Sequence, residues 1–229
     1  MLYLNIMTRI KGRKNDSQIF EKGGRGFPYL VWLDTSGKVL APQMERTAAG
    51  FQKTYDKLAT YTALKKKAAA GDAAAGIEVA LIECELGIID FGELEGKLEG
   101  KQLSKDQKAR LDVLEVEAAV KDALAILRAG RGKPESMTAA GKALHAFYKQ
   151  GRAPESKRGR TIFFNVLARY AQQTKDVALM ESSVKALDEI YKDQPRAKQI
   201  LARLHKGLEA LKSAVKQKAG SDSGCGGDD

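Results

Sequence analysis

Cysteine is nearly absent from this 229-residue chain: Cys84 and Cys225 are the only two, and they lie far apart. That excludes a Cys-x-x-Cys pair and a disulfide framework, and His145 and His205 do not complete a spaced ligand set for zinc. Neither a structural metal nor a bound cofactor is expected. Long apolar runs are also missing, since none approaches the roughly 20 residues that span a bilayer. The opening Met-Leu-Tyr-Leu-Asn-Ile-Met turns polar beyond Asn5, and no small-residue cleavage site follows it. No membrane partner is expected, and the cytoplasm is the default location for the chain as given. Aromatic residues make up only 7%, with a single tryptophan.

Charge is abundant and uneven. The net +10 is concentrated in residues 1–67, where thirteen Lys/Arg face five Asp/Glu; the remainder holds 26 against 24. A basic segment of this kind attracts nucleic acid or another anionic surface. Its densest part is the loop carrying Arg9, Lys11, Arg13 and Lys14, a candidate anion-binding group whose simpler explanation is a solvated loop. The aromatics nearby, Phe27, Tyr29 and Trp32, fall in an apolar run that predicts a buried strand, which makes them poor platforms for base stacking.

Along the first third, Leu2 to Met7 predicts a strand and Ser17 to Gly23 a short helix. Pro28 opens a second strand, Tyr29 to Leu33. Asp34-Thr-Ser-Gly37 is a hairpin turn, and Lys38 to Ala41 the returning strand. Thr47 caps a helix in which Phe51, Tyr55, Leu58 and Leu64 recur at helical spacing. The block Gly24-Arg-Gly-Phe-Pro-Tyr-Leu-Val-Trp-Leu-Asp-Thr-Ser-Gly-Lys-Val-Leu40 resembles the thioredoxin-like superfamily from its third strand onward. The resemblance implies an α/β fold for about the first 70 residues, a partial thioredoxin-like sandwich. It implies that Pro28 is the family's cis-proline, and that Gly26, Phe27 and Pro28 form a peptide-binding loop. The family's second strand and its Cys-x-x-Cys helix have no counterpart here. Either the Leu2 and Tyr29 strands pair directly, or the chain is a shortened version of a longer protein. The start within a strand makes shortening the expectation.

From Gly71 onward the pattern is helical. Ile77, Ala80, Leu81 and Cys84 share a face, so Cys84 is expected in a core. Ser104-Lys-Asp-Gln107 is a capping box before a helix through Leu127. A further helix through Phe147 and Tyr148, then Ile162–Gln172, Val177–Tyr191 and Ala197–Val215, predict an all-α domain of helical hairpins, loosely tetratricopeptide-like, over residues 71–218. Residues 219–229 form a Gly/Ser/Asp tail. The glutamates between Glu78 and Glu99 lack calcium-loop spacing and are expected at the surface, as are His145 and His205, with no evident carboxylate partner.

No catalytic residue emerges. The expected function is a redox-inactive protein-binding module. The alternatives are a C-terminal fragment of a thiol-disulfide oxidoreductase whose cysteine pair lies upstream, and a basic nucleic-acid-binding protein.

Overall fold

Local turn chemistry builds the first structured element. The computed structural model describes residues 2–3, 29–43 and 45–221, and in it strands β2 (Val31–Leu33) and β3 (Val39–Pro42) form an antiparallel hairpin. Between them the Asp34 carboxylate accepts hydrogen bonds from Ser36 Oγ (2.6 Å) and from the backbone N–H groups of Ser36 and Lys38 (2.9 Å each). Those bonds, the Ser36 hydroxyl first, hold the Asp34 carboxyl below its ordinary range. Gly37 sits at φ +80°, a conformation that favours glycine. A two-residue strand β1 (Leu2–Tyr3) pairs antiparallel with β2, placing Leu2 opposite Trp32, so the sheet order is β1-β2-β3.

This corrects the expected α/β class. The three strands hold two, three and four residues, and everything else regular among the described residues is helical. The described residues are essentially all-α, and there is no α/β sandwich among them. The strand pattern in Tyr29–Ala41 was sound, but a hairpin of this kind is fixed by its own turn and says nothing about which sheet surrounds it.

The chain divides into two compact units, Met1–Leu114 and Glu115–Asp229. In the first, Thr47 Oγ1 accepts from Gly50 N (3.0 Å) and starts α1 (Ala48–Ala69). Lys66 and Lys67 in its last turn complement the helix dipole. Asp72 caps α2 (Ala73–Glu85), and Asp90 with Glu93 forms a capping box for α3 (Phe91–Leu98). Ser104 and Gln107 exchange the expected reciprocal bonds at 3.0 and 3.2 Å before α4 (Lys105–Ala129), within which the division between the units falls. Ala41 of the hairpin, Leu58 and Tyr61 of α1, and Ile82 of α2 with the adjoining Leu86 share one core. Ile77, Ala80, Leu81 and Cys84 of α2 and Leu94 and Leu98 of α3 form another. Residue 70, the expected domain boundary, therefore lies inside this unit, beside helices that share a core.

The second unit adds α5 (Pro134–Lys149), α6 (Lys157–Thr174), α7 (Val177–Tyr191), a 3-10 turn (Pro195–Ala197) and α8 (Lys198–Ser221). Each start has a local cause: Pro134 in the first turn of α5, Ser156 capping α6 and Asp176 capping α7. Leu144, Phe163, Leu167, Met180 and Leu187 are fully buried at its centre. Consecutive helices pack on one another, α5 on α6, α6 on α7 and α7 on α8. That is the coarse form of the expected helical-hairpin series. No helix among the described residues is long and apolar enough to cross a membrane.

Candidate functional site

The residues first singled out for function, Gly26, Phe27 and Pro28 of the proline loop and Arg9, Lys11, Arg13 and Lys14 of the basic loop, lie outside the described residues, as does Cys225. Cys84 is buried in the α2–α3 core. Among the described residues no group of three or more His, Cys, Asp or Glu could hold a metal ion.

Of the glutamates expected at the surface, Glu93, Glu95 and Glu99 are exposed, while Glu78, Glu83 and Glu85 of α2 are not, and these three are the main correction. Glu78 and Glu85 are seven residues apart and so share one face of α2, with Glu83 on another. Arg110 of α4 reaches both members of the first pair, through Nη1 to Glu78 at 2.6 Å and Nε to Glu85 at 2.8 Å. Gln107 Nε2 also donates to Glu78 (2.7 Å), and Lys57 of α1 pairs with Glu85. Glu83 is 8% exposed. It accepts from Tyr61 Oη (3.0 Å) and pairs with Lys97 of α3 (2.5 Å), while Lys65 Nζ donates to the same Tyr61 hydroxyl (3.0 Å). Three carboxylates of α2 thus tie it to α1, α3 and α4.

The electrostatics follow from those contacts. Burial pushes the Glu78 carboxyl up, but the bonds from Gln107 and Arg110, with the guanidinium charge, outweigh it and hold the group below its ordinary value. Burial likewise works against the Arg110 charge, and its two glutamates more than restore it. The bond to Tyr61 raises Lys65. Every one of these groups is committed to a neighbour in the fold, which suits them to holding helices in register. Because the folded-state value of Glu78 is depressed, its contribution to stability is present above about pH 4.5 and is lost as the pH falls through the lower folded value. Acid titration followed by Trp32 fluorescence should show the first unit loosening in that window, and Glu78→Gln should remove this component of the transition.

On the hairpin side of the same unit, three aromatic rings lie together. The Trp32 ring centroid is 6.3 Å from that of Phe51 and 6.2 Å from that of Tyr55, tilted by 54° and 43°. Trp32 Nε1 donates to Gln43 Oε1 (2.6 Å); Gln43 is buried, and its amide bonds in turn to the Glu45 carbonyl. The indole is therefore fixed from behind. Tyr55, at 56% exposed, presents its ring to solvent.

In the second unit, Glu115 pairs with Arg152 (2.6 Å), and Glu117 accepts from Ser156 N (3.1 Å) at the start of α6. The helix terminus that would attract an anion is supplied with one from α4. His205 does have a carboxylate partner, Asp188, at 2.9 Å between α8 and α7, which corrects that expectation. His145 is half-buried and lies against Tyr148 (6.1 Å, 28°) and Tyr170 (5.7 Å, 55°).

No family model, no curated protein and no solved structure matches this chain. With the all-α architecture, that overturns the thioredoxin-like resemblance: the Gly-Phe-Pro and Asp-x-x-Gly pieces that carried it are short, and the turn among them is explained by its own hydrogen bonds.

Proposed function

We propose that this chain is a protein-binding module whose contact surface is the aromatic patch of Trp32, Phe51 and Tyr55. The observation that carries the reading is the exposure of Tyr55 beside an indole locked by Gln43. Tyrosine and tryptophan dominate the energetic centres of protein interfaces. A ring already held in place loses little entropy on binding. The surface is neutral at its middle, since Tyr55 is flanked one turn away on α1 by Phe51 and Ala59.

Affinity capture with cross-linking, using the full chain and Tyr55→Ala in parallel, tests this. Truncating so exposed a ring should leave the melting temperature nearly unchanged. Partners retained by the parent chain should be lost by the variant. If the same proteins are captured by both, the patch is not the docking surface.

A further inference from the structure

We propose, independently of the aromatic patch, that the second unit docks an acidic peptide segment along α5, on a stripe made by Lys142, His145 and Lys149. The first ground is where the charge resides. Residues 68–114 hold five Lys/Arg against ten Asp/Glu, while residues 115–217 hold twenty against eleven, a net +9. The positive surplus is therefore a property of the second unit's helices as well as of the first 67 residues.

The second ground is what those helices do with it. Lys142, His145 and Lys149 fall at i, i+3 and i+7 of α5 and so share one face, spanning about 10 Å. Lys142 and Lys149 are exposed and form no ion pair among the described residues. His145 accepts or donates no hydrogen bond there either, and its ring is positioned by Tyr148 and Tyr170. Behind it Gly141 lets the Tyr170 ring approach so closely that a Cβ would stand 2.4 Å from it. The stripe thus offers nitrogen groups with no internal acceptor, one of them held rigidly. An extended chain repeats side chains on one face every ~7 Å, so carboxylates at every second residue fall along the stripe.

The choice of an acidic peptide over nucleic acid rests on the rings. Base stacking needs open aromatic faces. Here Tyr148 and Tyr170 are partly buried against the core, and each lies against the His145 ring.

Fluorescence anisotropy with the full chain decides it, using a labelled peptide of alternating Glu and Ala as probe and a labelled oligo-thymidine as competitor class. Lys142→Glu with Lys149→Glu should weaken peptide binding about tenfold or more. Lys185→Glu with Lys216→Glu changes net charge equally on exposed positions of α7 and α8, and should cost about threefold or less through long-range charge alone. His145→Phe, which keeps the ring stack and removes the nitrogens, should give an intermediate loss. The proposal is overturned if the peptide does not bind, if both charge-reversal pairs weaken it equally, or if the oligonucleotide binds more tightly and is lost with the α5 pair.

Discussion

Replacing Arg110 with methionine is expected to destabilise the first unit by about 2 kcal/mol, the middle ground between an exposed and a fully buried ion pair. Methionine keeps the aliphatic stem and its packing, so the loss is electrostatic. Glu85 retains Lys57, but Glu78 is left with only the amide of Gln107. A half-buried carboxylate without its cation carries its desolvation penalty uncompensated. Two consequences separate this account from simple loss of packing. Glu78→Gln added to Arg110→Met should recover a good part of the stability, because it removes the stranded charge. The gap between the parent chain and Arg110→Met should also close as the pH falls below about 4.5, because the parent then loses the same interaction by protonation. Trp32 is the only tryptophan, so urea unfolding followed by its fluorescence reports on the unit concerned. An unchanged midpoint at neutral pH would show that the Arg110 pairs contribute nothing.

That network also marks where sequence reasoning stopped. Caps and turns were legible because their causes are adjacent in the chain: Thr47 with Gly50, Ser104 with Gln107, Asp34 with Ser36 and Lys38. The bounds Val177–Tyr191 of α7 were legible in a sustained apolar stripe, and the structure adds Asp176 as its cap. The eight-residue α3 went unseen. Gly92 and Gly96 weaken its helical pattern, and only Leu94 and Leu98 are buried, with Phe91 packed partly against the same core. The roles of Glu78, Glu83 and Glu85 were hidden because their partners Arg110, Lys97 and Lys57 lie on other helices. The seven-residue spacing of Glu78 and Glu85, flanking the core positions Ile77, Leu81 and Cys84, was the one available signal. The α/β expectation failed differently. Val31–Leu33 and Val39–Pro42 do form strands, yet two correct strands do not specify a sheet's remaining members. The Trp32–Tyr55 patch and the α5 stripe were both invisible in outline, since each depends on a ring being held by a residue from elsewhere: Gln43 behind Trp32, and Tyr170 beside His145.

Glycine-to-alanine changes at Gly76 of α2 and Gly141 of α5 should have opposite signs. Within a helix, alanine is ordinarily favoured over glycine by about 0.5–1 kcal/mol, because glycine loses more backbone freedom on folding. Gly76 of α2 meets that condition: an added Cβ would have nothing within 4 Å. Gly76→Ala should therefore stabilise the first unit by roughly that amount. Gly141 of α5 is buried, and a Cβ there would stand 2.4 Å from both Cβ and Cγ of Tyr170. These atoms are at the root of the side chain, so rotation about χ1 cannot relieve the Cβ contact. The α5–α6 spacing itself must widen, and overpacking of this kind costs about 1–3 kcal/mol, more than the helix-propensity gain returns. Gly141→Ala should consequently lower the melting temperature of the second unit, read by far-ultraviolet circular dichroism. It should also shift the His145 ring resonances, because the Tyr170 ring that positions them is displaced. Adding Tyr170→Ala leaves its own void but removes the Cγ clash, so the two changes together should cost less than the sum of each alone. A Gly141→Ala chain as stable as the parent would mean that α5 and α6 do not approach as closely as this packing requires.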